Sequence, residues 1–184
     1  MTNKVQEKLN DYEGFVDKFK IKKTTDDCYT PQPVFDYILQ YVQDYVEDLS
    51  SYRVHRPFKP GGDYKREAVM YNPAVDVVVD NPPFSILAQI VDFYLMRHIK
   101  FWLYAPSLTL FGYLSRPNIT AYVADCDITY KNGAKVPTGF LTNMGDTRYI
   151  FRLAPELNAA RDISKALRGE VPSTKQSINT TGTW

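Results

Sequence analysis

The sequence predicts an α/β fold, with a sheet of mostly parallel strands and a C-terminal antiparallel hairpin. Three observations carry this expectation. Val75-Asp76-Val77-Val78-Val79 has the β-branched density of a strand buried on both faces. It runs through a short loop into Ile86, Leu87, Ile90, Val91, Tyr94 and Leu95, which restore a 3.6-residue period, and then into a second strand, Phe101 to Pro106. Strand, helix and strand in succession form a crossover unit whose two strands run parallel. Further on, Asn132-Gly133 separates Ile128-Thr129-Tyr130 from the run Val136 to Asn143, which is the pattern of a hairpin.

Composition sets the limits. A chain of 184 residues with 44% hydrophobic and 23% charged residues is expected to be one soluble globular domain with one core. Lys+Arg 22 against Asp+Glu 21, a formal net charge of +1, excludes a global positive field, so any nucleic-acid affinity must come from a local patch. Cys28 and Cys126 lack CxxC spacing, which excludes a zinc ribbon and a disulfide scaffold; free thiols in a reducing cytoplasm are expected. The start lacks the apolar run of a signal peptide, and no stretch approaches the roughly 18 apolar residues of a membrane span. A cytoplasmic protein without a membrane is the expectation, and the two histidines, His55 and His98, are too few and too ill-spaced for a metal site.

The elements follow in order. Residues 1–28 are polar and lysine-rich, with Val5, Leu9, Tyr12, Phe15, Val16 and Phe19 near a helical period, and form an N-terminal extension. Val34, Tyr37, Ile38, Tyr41, Val42, Tyr45 and Val46 mark one buried helix face, with Thr30 as its cap, Pro31 in its first turn and its end near Leu49-Ser50-Ser51. Tyr52 to Phe58 reads as a short strand entering the turn Lys59-Pro60-Gly61-Gly62-Asp63. After the crossover unit come a strand at Ile119 to Val123, the hairpin, a last strand at Tyr149 to Leu153 and a helix from Pro155 to Leu167. Residues 29–168 are thus one domain, and 169–184 a loose tail.

Asp80-Asn81-Pro82-Pro83-Phe84 stands where a buried parallel strand ends, the position at which open α/β sheets bind ligands. Two prolines fix φ and remove two N–H donors, so the loop is stiff and presents carbonyls. An amide side chain and the next carbonyl can accept both hydrogens of an exocyclic amine, and an aromatic ring offers a platform for a flat heterocycle. The alternative is a rigid strand-to-helix turn with Phe84 in the core.

Asn81-Pro82-Pro83-Phe84 resembles the catalytic (Asp/Asn)-Pro-Pro-(Tyr/Phe) motif of S-adenosylmethionine-dependent DNA adenine-N6 methyltransferases. Two further segments are similar in the same order: Tyr29-Thr30-Pro31 with Val34 to the family's Thr-Pro cofactor segment, and Val54 to Gly62 to its strand-plus-glycine loop. Asn81 to Ser85, the helix after it, and Tyr130 to Val136 resemble in particular the EcoRI-like adenine-specific branch. The likeness spans roughly Asp26 to Met144. The family loop reads Asp-x-Phe-x-Gly-x-Gly, whereas this chain has Arg56-Pro57-Phe58-Lys59-Pro60-Gly61-Gly62, with no acid before Phe58. Only residues 64–80 lie between Asp63 and Asn81, so the resemblance implies a contracted Rossmann-like (class I) methyltransferase sheet lacking two strands.

The resemblance implies direct methyl transfer from S-adenosylmethionine to an adenine flipped out of double-stranded DNA. Asn81, Pro82, Pro83 and Phe84 would be catalytic. Tyr29, Thr30, Pro31, Pro57, Phe58, Gly61, Gly62, Asp63 and Asp80 would hold the cofactor, with Asp63 the candidate for the ribose and Glu67 behind it. Ser85, Tyr130 and Phe140 would contact the base, with core packing the alternative role for Phe140. Arg116, Lys131, Lys135 and Arg148 are candidate phosphate contacts. A bacterial or phage enzyme, as in restriction-modification, fits this pattern. Methylation of RNA or of a protein glutamine, and a binding module that has lost catalysis, are the alternatives; a homodimer or a separate recognition partner stays open.

Overall fold

The computed structural model describes residues 29–59 and 62–170. The extension expected over 1–28, most of the tail, and Pro60 and Gly61 lie outside the described residues. In chain order the elements are α1 (Gln32–Tyr45), β1 (Arg53–His55), α2 (Tyr64–Ala68), β2 (Asp76–Asp80), α3 (Leu87–Met96), β3 (Lys100–Pro106), β4 (Thr120–Thr129), β5 (Lys135–Thr142), β6 (Phe151–Leu153) and α4 (Asn158–Ala166). Short 3-10 turns at Phe84–Ile86, Ser107–Tyr113 and Pro155–Leu157 lead into or out of them.

The fold is α/β with one six-stranded sheet in the order β1-β2-β3-β5-β4-β6. β1 pairs with β2, β2 with β3 and β4 with β6 in parallel, while β5 is antiparallel to both β3 and β4. Every strand except β5 therefore points the same way, and the ends of β1, β2, β3 and β4 form one edge. The crossover through α3 and the β4–β5 hairpin match the sequence expectation.

Period-2 alternation divides the core between the two faces of the sheet. Val77, Val79, Trp102, Tyr104 and Phe140 pack toward Val34, Ile38 and Val42 of α1 and Ala160 of α4. Val78, Phe101, Leu103, Ala105 and Leu141 pack toward Leu87, Ile90, Val91 and Tyr94 of α3. Because both faces are covered, β2 is buried at every residue, which is why its sequence is nearly continuous in valine. Full burial of one such side chain contributes about 1.5–3 kcal/mol.

Several local expectations are corrected. Thr30 does not cap α1: Pro31 is the N-cap residue, no side chain bonds the first turn, and Pro33 lies inside it. The helix ends at Tyr45, because the Gln43 side chain accepts from Leu49 N and donates to Asp48, holding the chain in a turn. The strands expected at Ile119–Val123 and Ile128–Tyr130 are one strand, β4, with a register shift between Tyr122 and Cys126. The surplus residues find other partners, since Val123 O accepts from Ala154 N and Asp125 N donates to Asn158. In the hairpin, Gly133 has φ 83°, the left-handed conformation that the turn requires, and Tyr130 and Ala134 close it. Arg97 is the C-cap of α3 and His98 follows it in the left-handed conformation: at φ 56° its N–H donates to Leu95 O, and Ile99 N donates to Tyr94 O.

At the end of β1 and β2 remote from Asn81, the buried Asp76 accepts from both forks of Arg53, from Asn72 N, and bonds His55 Nε2 at 2.7 Å. Burial pushes the Asp76 carboxyl up, but the hydrogen bonds from Arg53, His55 and Asn72 outweigh it and hold the group well below the usual carboxylate range. His55 is thereby committed to pinning these two strands.

Candidate functional site

The pentad begins where β2 ends. Asp80 and Asn81 are 3% and 4% exposed, Pro82 is buried, Pro83 and Phe84 are half-buried, and Ser85 is exposed. Pro83, at φ −57°, starts the 3-10 turn Phe84–Ile86, and that turn feeds α3. The two prolines thus keep the chain extended as it leaves the sheet and then turn it into the helix.

Asp80 ties this loop to the one after β1. One carboxylate oxygen accepts from Asn81 N and the other from Phe58 N, both at 2.9 Å, and Arg56 Nε stands 3.5 Å from the first. Burial raises the Asp80 carboxyl above its ordinary value, against the opposing pull of the Phe58 and Asn81 amides and of Arg56.

Arg56 is held as a flat plate. Its guanidinium carbon lies 3.7 Å from the Phe35 ring centroid and 4.7 Å from that of Tyr29, and its Nη1 donates to Gln32 Oε1 at 3.0 Å. Its Nε and Nη2 are buried and make no hydrogen bond among the described residues. The same holds for the hydroxyls of Thr30 and of Tyr104, which is 0% exposed on β3. Burial, then the neighbouring Tyr130 and Asp80, push the Tyr104 phenol up, while Arg56 opposes them, which places Tyr104 beside the same charges. Buried polar groups without protein partners are exceptional in folded proteins and mark places where a ligand or water completes the bonding.

The expected site residues divide in two. Tyr29, Thr30, Phe58, Asp80, Asn81, Phe84 and Tyr130 are brought to the ends of β1, β2, β3 and β4. Tyr130 is 2% exposed, bonds Thr138 through its hydroxyl, and meets Phe84 edge to face with ring centroids 6.4 Å apart. Pro57 is buried, and Gly62 N closes the turn to Lys59 O; a Cβ at Gly62 would overlap Pro57 O. Gly61 lies outside the described residues.

Phe140 and Asp63 are engaged in structural contacts. Phe140 is 0% exposed, stacked on Trp102 and edge-on to Tyr104, so it packs in the core and forms no wall of an open pocket. Asp63 caps α2, accepting from Lys65 N and Arg66 N, the ordinary use of an aspartate before a helix. Glu67 contacts the Tyr71 hydroxyl at 3.5 Å. Sequence reasoning passed over Arg56 and Tyr104. For Arg56 a signal existed, a cation two residues before Phe58; Tyr104 lies inside an apolar strand and carried none.

Among the described residues no group of His, Cys, Asp and Glu could hold a metal ion, and no helix is long and apolar enough to cross a membrane. Compared with protein-family models, with curated proteins and with solved structures, the chain gives no match.

Proposed function

We propose that this chain is an S-adenosylmethionine-dependent DNA adenine-N6 methyltransferase on a contracted Rossmann-like sheet. The observation that carries the proposal is Asn81-Pro82-Pro83-Phe84 at the end of a fully buried parallel strand, with Tyr130 meeting Phe84. The contraction has a plain cause: β1 pairs directly with β2, and the five-residue α2 leaves no room for further strands between them.

The residues present fit a polar cofactor. The hydroxyls of Thr30 and Tyr104 and the Nη2 of Arg56 are buried with no hydrogen-bond partner among the described residues, and Asp80 braces the loops after β1 and β2 against each other. When bound, S-adenosylmethionine supplies an activated methyl group. Asn81 Oδ1 and the Pro82 carbonyl accept hydrogen bonds from the target amine, which localises its lone pair and stabilises the positive charge developing on nitrogen. The half-buried Phe84 offers a face for the flipped base, with Tyr130 packed edge to face against it. Pro82 and Pro83 keep these acceptors in place without reorganisation, so the remaining task is orientation.

The test is methyl transfer from labelled S-adenosylmethionine to duplex DNA, with N6-methyladenine identified after digestion. Asn81→Ala is expected to lower the rate by about 10²–10³-fold, the usual loss when one such group is removed. Equal incorporation by the variant defeats the role given to Asn81. RNA and glutamine peptides serve as competing acceptors in the same assay. One observation favours a binding module without catalysis, namely that Asp63 is engaged as a cap and Arg56 stands where the resembled loop has an acid. Calorimetry discriminates between the two: absence of heat with S-adenosylmethionine favours the binding module.

A further inference from the structure

Four loop cations were candidates for phosphate contacts, and the structure separates them. Arg116 is paired with Asp92, Lys135 with Asp127 and Arg148 with Asp146. Lys131 has no carboxylate at ion-pair distance among the described residues. Its ammonium stands 4.6 Å from the Tyr29 ring centroid, and the Arg56 guanidinium carbon stands 4.7 Å from the same centroid. Two cations therefore share one ring. The carboxylate facing Arg56 is Asp80, whose oxygens are already engaged by Phe58 N and Asn81 N. An anion beside Lys131 relieves the repulsion between the two cations.

Lys131 also lines a cleft of about 540 Å³, together with Gln32, Thr129, Tyr130, Ser164 and Arg168. The Thr129 hydroxyl is buried and makes no hydrogen bond among the described residues. Arg168 pairs with Glu170 two residues away at 2.9 Å, an exposed pair of the kind that contributes little and exchanges readily. Tyr130 is both a wall of this cleft and the edge partner of Phe84, so the cleft adjoins the proposed base platform.

We infer that this cleft takes a backbone phosphate of the nucleic-acid strand that carries the target base, with Lys131 as its cation. The inference rests on the reading of the preceding section. Neither Lys131 nor the cleft touches the transferred methyl, so the effect is on strand binding and register.

The test is the fluorescence anisotropy of a labelled mixed-sequence duplex titrated with wild type, Lys131→Gln, Lys131→Arg and Lys135→Gln across about 50–200 mM salt. Loss of one phosphate contact is expected to reduce the slope of log K against log salt by about 0.9 in Lys131→Gln, uniformly across sequences. Lys131→Arg restores the slope. Lys135→Gln, in the same hairpin but paired with Asp127, leaves it unchanged. Thermal melts of the variants exclude unfolding as the cause. DNA binding with an unchanged slope in Lys131→Gln, or an equal loss in Lys135→Gln, overturns the inference and leaves the methyltransferase reading standing. A wild type that binds no DNA at low salt overturns both. A parallel titration with adenosine monophosphate covers the other source of the phosphate: Lys131-dependent mononucleotide binding with no effect on the duplex slope overturns the strand assignment.

Discussion

Asp80 is the joint between the loops after β1 and β2, and Asp80→Asn tests it. The substitution keeps the shape but leaves one acceptor where two backbone donors converge. Phe58 N and Asn81 N reach different oxygens, each at 2.9 Å, so whichever oxygen becomes the amide nitrogen opposes an N–H. One buried donor then loses its partner, at about 1–3 kcal/mol, and the surviving bond drops from charge-assisted to neutral, roughly 1 kcal/mol more. Relief from burying a charge at a 3% exposed position offsets part of this. The expected destabilisation at neutral pH is about 2–3 kcal/mol. With a slope of roughly 2 kcal/mol/M, the urea midpoint falls by about 1–1.5 M. Asp92→Asn is the control, since that carboxylate is 59% exposed in its pair with Arg116 and its loss is expected to cost under about 1 kcal/mol.

The pH dependence has a definite sign. The folded protein holds the Asp80 carboxyl above its ordinary value, mainly through burial. Its contribution is therefore fully present below the ordinary carboxylate value and is lost as pH rises through the raised folded value. A protonated carboxyl still offers two oxygens to the two amides, whereas the asparagine amide offers one. The penalty of Asp80→Asn is thus largest in acid and narrows across that window. A variant within about 0.5 kcal/mol of wild type at neutral pH, the range of ordinary surface changes, refutes the argument. So does a penalty that widens as pH rises.

Three further outcomes are expected. His98 carries φ 56° at the end of α3, so His98→Gly removes the left-handed penalty and raises stability by about 0.5–1 kcal/mol, read as a rise of a few degrees in thermal melting. Trp102 is 0% exposed with its indole nitrogen unbonded among the described residues; Trp102→Ala is expected to cost about 3–5 kcal/mol in urea unfolding, and Trp102→Phe far less, because it removes an unsatisfied donor while keeping a ring against Tyr122 and Phe140. Burial pushes the Cys126 thiol up to about 12 despite Arg161, so in a Cys28→Ser background labelling at pH 8 is expected to proceed only on unfolding, and fast native labelling contradicts the burial.

What was legible in the sequence was local. The valine run of β2, the 3.6 period of α1 and α3 and the Asn132-Gly133 turn each encode their conformation in neighbouring residues, because strand density, helical period and a left-handed glycine are short-range constraints. The pentad at Asn81 was visible for the same reason. What only the tertiary structure decided depends on partners distant in the chain. Phe140 could be a pocket wall or a core residue until the pairing of β5 with β3 set it against Trp102 and Tyr104. Arg56 acquired its setting only when β1 and α1 brought Tyr29, Phe35, Gln32 and Asp80 around it. Of four basic loop residues, three were neutralised by acids, two of them more than five residues away in sequence or across a strand pair, and Lys131 was left to face the cleft beside Tyr130. Burial and pairing are properties of the assembled chain, and they decide which of the residues capable of chemistry remain available for it.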